Sequence, residues 1–399
     1  MSLPRLLRGV VPDSRPLRLD EHLRLHGARV PRARAEIIEL VEASGLSGRG
    51  GAGFPVALKL RAVSPRRARA IVVANATEGE PESDKDKLLL RAAPHLVLDG
   101  LAEAALAVNA SEGIVAIAET ATRERAALEA ALGERGRRSL PIRVASVPDR
   151  FIAGQESALV RFLGGGPLKP ATMPPRPSTH GVGGRPTLVQ NAETLAHLAL
   201  LCRHGHGWFR ELGTPDEPGT VLVTLRGAIA HPGVYEIAIG TPLPDVLALA
   251  GGATEELGAA LVGGYFGGWI AAPEISRAML SNAALRPLGC ALGARLIHLL
   301  PARASGLAAS ARITRYLAAS SAGQCGPCVH GLAAIADCVE RIADGRGAPD
   351  DLERLTRFTR HVRGRGACRH PDGAAGFVES AMRVFQHEIV LIRPQAVAR

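Results

Sequence analysis

From Gly48 to Gly53 the chain reads Gly-Arg-Gly-Gly-Ala-Gly, four glycines in six residues. Such a loop has almost no side chains to hold a ligand away from its backbone. Several N–H groups can turn toward one anion. Gly48, Gly50 and Gly53 fit the G-x-G-x-x-G spacing of dinucleotide loops. A plain glycine turn meets the same pattern. A helical pattern at residues 35–43 precedes the loop, where a Rossmann unit would place a strand. The stretch therefore reads as a phosphate or flavin loop on a non-standard α/β scaffold.

The segments that follow alternate. Residues 70–74, Ala-Ile-Val-Val-Ala, form a buried-strand run that ends in Asn75-Ala76-Thr77-Glu78-Gly79-Glu80-Pro81. Polar residues just past a strand's carboxyl end are where open α/β sheets bind ligands. Residues 88–108 read as helix, 113–118 as strand, 121–132 as helix and 142–147 as strand, which argues for a parallel sheet covered by helices. A helix running to Phe162 opens at 151–157. A Pro/Gly-rich loop occupies 164–184, and the stretch from Pro186 begins a further helix. Residues 1–30 read as a loose arm with a short helix near Asp20. After Gly213–Gly219 a strand, turn, strand, helix and strand suggest a small β-grasp unit, closed by 296–300. Four amphipathic segments from 307 to 389 suggest a helical bundle. The expected domains are 1–215, 216–302 and 303–399.

Formal net charge is +10, with only 3% aromatic residues. The plain reading is a solvated basic surface; the sharper one is docking to an acidic partner such as a small electron carrier. Nucleic acid is excluded as a partner, because the arginines are dispersed and few aromatics accompany them. Residues 1–20 hold no apolar signal region. Residues 257–273 and 316–336 lack Asp, Glu, Lys and Arg. The first is too short and Gly-rich to span a bilayer, and the second is interrupted by polar residues and Pro327. The expected location is cytoplasmic, with any membrane association made through a complex.

The six cysteines are Cys202, Cys290, Cys325, Cys328, Cys338 and Cys368. Structural disulfides are not expected in such a compartment. Cys202, Cys290 and Cys338 read as core thiols. Cys325-Gly326-Pro327-Cys328 puts two thiolates on one centre, and Cys368 follows in a later loop. Three chemistries compete. An iron–sulfur cluster uses thiolates almost exclusively. A redox dithiol shares the C-G-P-C string but belongs in a strand–helix unit. A structural zinc would need a fourth ligand such as His330 or His370.

Five strings now stand in order: Gly48–Pro55; Asn75–Pro81 with Lys85-Asp86; Gly154-Gln155-Glu156-Ser157; Gly184–Thr187 with Asn191–Leu195; and Gly323-Gln324-Cys325-Gly326-Pro327-Cys328. Together they resemble the flavin-bearing 51-kDa (or F-type) component of NADH:quinone oxidoreductase, over about residues 35–390. The resemblance implies an α/β FMN-binding domain, a β-grasp (ubiquitin-like) domain and a helical bundle with an iron–sulfur centre. It implies hydride transfer from NADH to FMN and single electrons passed to a [4Fe–4S] cluster. It also implies a ferredoxin-like or thioredoxin-like iron–sulfur partner subunit, and a membrane redox complex reached through partners. By resemblance Gly48, Arg49, Gly50, Gly51 and Lys59 hold the phosphate side of FMN. Asn75, Glu78, Gly154, Glu156, Asn191 and Thr194 line the flavin, with Phe54, Gly79, Glu80 and Gln155 in the same cofactor-binding set. Catalysis is carried by FMN, with Glu78 and Glu156 in support. Taken singly, Lys59 also reads as a solvated helix charge, and Asn191 and Thr194 as helix caps.

The chain departs from the family at several positions. Thr77 replaces an aspartate and Gln155 a glutamate. Of the aromatics that flank the nicotinamide only Phe54 is matched, with Ala62 and Arg176 at the other two places. The family lysine of a Leu-Lys-Pro string corresponds to Lys169, or to Met173 when counted back from Gly184. Ala322 stands where the first of three clustered cysteines is expected. Cys325, Cys328 and Cys368 remain as metal ligands, so a four-iron cluster needs a non-cysteine fourth ligand, and a [3Fe–4S] cluster is the other form. The alternative function is a non-catalytic scaffold or electron-transfer module that keeps the fold without NADH oxidation, with the cluster retained or lost.

Overall fold

A computed structural model describes residues 3–11, 14–63, 69–136, 140–171 and 175–392. The chain divides into two compact units, Met1–Thr224 with Val234–Thr241, and Leu225–Gly233 with Pro242–Arg399.

The first unit begins with α1 (Leu19–His26), α2 (Arg34–Ser44) and α3 (Val56–Val63). The glycine loop lies between α2 and α3. Gly45 ends α2 in the left-handed region at φ 71°, as a helix stop of this type requires. Then follow β1 (Ala70–Ala76), α4 (Lys85–Ala92), α5 (Pro94–Val108), β2 (Ala110–Ala118), α6 (Thr122–Arg135) and β3 (Ile142–Val147). The expected single helix over 88–108 is two helices. Ala93 precedes Pro94 and sits at φ −130°, ψ 50°, because proline sterically bars its neighbour from helical geometry. After a 3₁₀ turn at Phe151–Gly154 come α7 (Glu156–Leu163), β4 (Thr187–Asn191) and α8 (Ala192–Arg210). The stretch from Pro186 is thus a five-residue strand, and the helix begins only at Ala192.

The sheet is parallel, in the order β3-β2-β1-β4. Val72, Ala74, Val115, Ile117 and Leu188 face a core shared with α2, α3, α5, α6 and α8. Ile71, Val73, Ile114, Ala116 and Val189 face the opposite core, with Leu159 and Val160 of α7. The strand order therefore reverses beside β1: the chain moves outward to β2 and β3, then returns across the other face to β4. Open α/β sheets form their ligand crevice at such a reversal, outside the carboxyl ends of the strands. Asn75 and Asn191 are register partners at those two ends.

The arm is tied down rather than loose. Leu6 is fully buried, and Glu236 accepts the backbone N–H groups of Arg5, Leu6 and Leu7 at 2.7, 2.8 and 3.1 Å. Helix α1 is held by a buried imidazole group. His22 Nε2 lies 2.8 Å from Asp99, whose carboxylate also pairs with Arg135 and Arg203. The His26 and His95 rings lie 5.2 and 5.6 Å from that of His22. Burial pushes His26 down to about 3 and His95 down to about 4. Arg135 donates to His95 Nδ1, so the other ring nitrogen donates to Glu134 and the ring is neutral.

These two histidines bind protons in the unfolded chain near pH 6.5 but resist them when folded, so folding stability is full above that pH and falls as pH drops toward 4. Each such proton contributes about 1.4 kcal/mol per pH unit. A loss on the order of 4 kcal/mol between pH 7 and 5, about 2 for each ring, is expected in chemical denaturation. His26→Asn should flatten the curve; an unchanged slope in that variant would contradict the assignment.

Beyond α8 come β5 (Thr220–Gly227), β6 (Gly233–Ala238), α9 (Leu243–Leu249), β7 (Leu257–Val262), β8 (Gly268–Ala271), α10 (Ala272–Ile275), α11 (Asn282–Leu285) and β9 (Leu296–Pro301). In the second unit β7 lies between β8 and β9 and runs antiparallel to both. The unit ends in α12 (Gly306–Ala319), a π-helical turn at Pro327–Leu332, α13 (Ala333–Ala343), α14 (Asp351–Val362), α15 (His370–Val384) and α16 (Gln386–Ile392). The expected fourth segment of the bundle is α15 and α16, interrupted at Phe385. Among the described residues no helix is long and apolar enough to cross a membrane.

Candidate functional site

The switch-point crevice gathers four of the five strings. The glycine loop is closed at its base by Gly48 N–H donating to the Phe54 carbonyl at 2.9 Å. Its tip is pinned to the start of α8, where Arg49 N–H donates to Thr194 Oγ1 at 2.8 Å. A Cβ on Gly50 would sit 3.1 Å from the Asn191 Cβ, so the bare backbone rests on the end of β4. Gly51 and Gly53 hold φ of 108° and 61°, positions that favour glycine. The Arg49 guanidinium points inward, donating to Ser47 Oγ and the Pro218 carbonyl. Phe54 is exposed beside the loop.

At the end of β1, Asn75 donates to the Gly154 carbonyl at 2.9 Å and accepts from Thr77 Oγ1 at the same distance. Gly79 lies against the 3₁₀ turn; a Cβ there would meet the Phe151 carbonyl oxygen at 2.8 Å. The Asn75–Pro81 and Gly154–Ser157 strings are thereby held together. Gln155 caps α7 through Oε1, which accepts from Ala158 N–H at 2.7 Å. Its neighbour Glu156 meets Lys59 at 3.0 Å, and the same ammonium donates to the Val189 carbonyl at 3.2 Å. This pair is partly exposed on the crevice side of α3.

Glu78 occupies a left-handed backbone position at φ 39°, unusual for a non-glycine residue. Its carboxylate accepts from Ser83 Oγ at 2.6 Å and from the N–H groups of Asp86 and Lys87 at 3.1 and 2.9 Å. These bonds satisfy donors that the first turn of α4 leaves open. Desolvation, and then the Asp86 charge, push the Glu78 carboxyl upward. Glu80, in the same loop, is also buried.

Sequence reasoning assigns no role to the ion cluster behind the crevice, although Lys85-Asp86 stands within a quoted string. Lys85 is buried between Asp86 at 2.8 Å and Glu193 at 3.0 Å. Asp86 accepts from Asn191 Nδ2 at 2.5 Å, while Asn191 Oδ1 caps α8 through Glu193 N–H. Asn191 is thus held by both ends of its amide. A lysine beside an aspartate reads as a surface pair; only the topology that buries both shows otherwise. Lys169 lies in the long loop, Arg176 is exposed there, and Met173 lies outside the described residues.

In the second unit the three expected thiols are neighbours. Cys325 and Cys328 share a side-chain hydrogen bond across their turn, and Cys368 lies within electrostatic reach of both. The backbone N–H of His370 donates to the Cys368 sulfur, a kind of bond that tunes iron–sulfur centres. Burial, then the neighbouring thiols, push Cys328 up to about 12. His370 is committed elsewhere: Nε2 lies 2.7 Å from the Leu317 carbonyl and its ring packs edge-on against Phe266. His330 is exposed. Among the described residues no group of three or more His, Cys, Asp or Glu meets the geometry of a single metal ion. Soft sulfurs with an N–H···S bond fit an iron–sulfur cluster, with Ala322 leaving one thiolate fewer than a closed Cys₄ set.

The fold and these two sites define a class: a nucleotide-cofactor α/β protein joined to a thiolate redox centre. Comparison with known proteins is specific. Residues 41–200 match the Nuo51 FMN-binding domain, 222–264 the SLBB domain, and 308–391 the NADH-ubiquinone oxidoreductase-F iron–sulfur binding region. One of the F-type components of NADH-quinone oxidoreductase in Rhizobium meliloti (strain 1021) is 31% identical over 90% of this chain and 86% of its own. The mitochondrial NADH dehydrogenase [ubiquinone] flavoprotein 1 of Dictyostelium discoideum is 30% identical over 88% of this chain and 78% of its own. A crystal structure of an NAD+-reducing [NiFe]-hydrogenase in the H2-reduced state superposes with a TM-score of 0.84 and 32% identity over 91% of this chain. This chain spans 64% of the length of that hydrogenase chain. The protein belongs to the 51-kDa (F-type) flavoprotein family of NADH-quinone oxidoreductase.

Proposed function

We propose that the protein oxidises NADH with FMN and passes single electrons through its cysteine-bound cluster to a ferredoxin-like or thioredoxin-like iron–sulfur subunit. The observation that carries this reading is the meeting of four family strings at the strand-order reversal, in a chain that also gathers Cys325, Cys328 and Cys368. FMN, when bound, supplies the conversion of a two-electron hydride donor into one-electron steps. The residues do the rest. Backbone N–H groups of Gly50 and Gly51 face a phosphate, while the Gly48 N–H closes the loop on Phe54 and Arg49 braces it, its N–H on Thr194 and its guanidinium turned inward. Lys59 brings a cation to the crevice already oriented by Glu156. Asn75 and Asn191, each fixed by a second bond, offer amide groups to a flavin edge. Glu78 keeps the loop after β1 in a strained turn, and with Glu156 supports the bound donor. Phe54 offers one stacking face. The domain limits proposed are 1–215, 216–302 and 303–399. The middle one is a β-grasp, which the β5–β6–α9–β7 succession supports. The F-type relatives support association with a larger redox complex, through which the chain would reach a membrane.

Purified protein with bound FMN should reduce ferricyanide when NADH is added, anaerobically and without partner. Inertness toward NADH with flavin present would reject the enzyme. A specific observation favours a second reading, the non-catalytic scaffold: Ala322, Ala62 and Arg176 remove a thiolate and two stacking surfaces. Its signature is a folded protein without flavin or iron after reconstitution.

The cluster reading makes its own prediction. Ala322→Cys should raise iron per chain and replace a three-iron or labile signal with a four-iron one in electron paramagnetic resonance. Iron content and spectrum identical to the parent would mean that residue 322 does not face the centre.

A further inference from the structure

The segment from Leu352 to Arg369 holds six arginines against one glutamate and ends around Cys368. Three of the six are neutralised. Arg354 leans toward Asp351 at 3.8 Å, Arg363 pairs with Glu379 at 2.5 Å, and Arg369 pairs with Asp372 at 3.0 Å. Arg357, Arg360 and Arg365 are exposed, and among the described residues no carboxylate pairs with any of them. Arg357 and Arg360 line an open depression along α14, with Thr356 and His361, where Glu353 is the single acid. Cations three apart on one helix repel each other and cost stability, a cost that an acidic surface laid over them would remove.

The position of this face is as informative as its charge. The end of α14 lies directly on the π-helical turn that carries Cys328: a Cβ on Gly331 would meet Val362 Cγ1 at 2.3 Å. Arg365 precedes Cys368 by three residues. Arg365 thus stands beside the Cys368 segment, and Arg357 and Arg360 lie on the outer face of the helix that packs against the Cys328 turn.

We propose that Arg357, Arg360 and Arg365 form the docking face for an acidic protein that carries a one-electron redox centre. The proposal rests on the electron-transfer reading above and adds where the carrier binds and what charge it bears. Charge complementarity of this kind raises the association rate and orients the partner. It is screened over about 8 Å at physiological ionic strength.

The test is a binding measurement on the full-length protein, with a plant-type [2Fe–2S] ferredoxin of net negative charge as probe. Fluorescence anisotropy of labelled ferredoxin should report binding at 50 mM salt that weakens by about tenfold or more at 500 mM. The triple variant R357E/R360E/R365E should lose binding by a similar factor. Arg123→Glu, on α6 of the other unit, should leave it unchanged. The salt titration of the unaltered protein stands even if the triple variant fails to fold. Absence of binding, salt-independent binding, or equal loss with Arg123→Glu would overturn the proposal. So would arginine-dependent binding to phosphatidylserine vesicles without binding to ferredoxin. NADH-dependent dye reduction is read separately. Dye reduction without ferredoxin binding rejects this surface alone; binding without dye reduction rejects the enzyme reading alone.

Discussion

Gly100→Ala is expected to destabilise the first unit by about 3 kcal/mol, near the top of the usual range for overpacking, and to weaken flavin retention in the same variant. Gly100 lies on α5 where it crosses α8. An added Cβ would fall 1.8 Å from the Leu195 carbonyl oxygen and 2.3 Å from its carbon. Those atoms are backbone, so no rotamer change relieves the clash; one helix must move. Leu195 adjoins Thr194, which anchors the glycine loop, and lies four residues beyond Asn191, which caps α8. A shift of α8 therefore opens the crevice as well as the core. The midpoint of thermal unfolding should fall by roughly 6–12 °C for a unit of this size. Bound FMN per chain should fall with it. A variant with parental stability and flavin content would show that α5 and α8 do not approach as described.

Lys85→Met should be costlier still, about 3–5 kcal/mol, the usual effect of breaking a buried ion pair from one side. Lys85, Asp86 and Glu193 are each nearly inaccessible. Removing the ammonium leaves the two carboxylates of Asp86 and Glu193 without the cation they share, in surroundings where an unpaired charge is poorly solvated. Desolvation then favours their protonated forms, so the variant should recover part of the loss as pH is lowered toward 5. Asn191 would also lose a fixed partner, because the Asp86 carboxylate orients its amide. Guanidinium unfolding of the apo-protein at pH 7.5 and 5.5 measures both effects. A loss below about 1 kcal/mol, of the size seen for exposed pairs, would place the lysine at the surface instead.

The parts of the fold visible in the sequence are those written in local pattern. The β1 run, the helix that Gly45 ends and the four amphipathic segments of the bundle each follow from periodicity and punctuation. Thr187–Asn191 is hidden because five residues buried on both faces show no alternation, and the cap Asn191 draws the eye to the helix behind it. The break at Ala93 is readable from Pro94. The arm looks loose because its tether, Glu236, lies far away in sequence. At the crevice, glycines and amides are legible as a set only through their order along the chain. How they are used is not. The Asn191 cap alone is readable beforehand. Arg49 turns its charge inward, Gln155 serves as a helix cap, Thr194 holds the glycine loop rather than capping α8, and Lys59 arrives already paired. Each of those outcomes depends on which neighbour the topology supplies. The cysteines give the opposite case: C-x-x-C spacing leaves three chemistries open, and burial with mutual proximity of three sulfurs narrows them.

On the proposed function, one chain holds a flavin site reducible by NADH and a cysteine-bound cluster that drains it. An anaerobic visible spectrum of the purified protein, taken before and after NADH, tests it most directly. Flavin bands that bleach on NADH, above a broad iron–sulfur shoulder that also declines, are the result expected. Flavin that stays oxidised in excess NADH, or no chromophore after reconstitution with FMN, iron and sulfide, would contradict the claim.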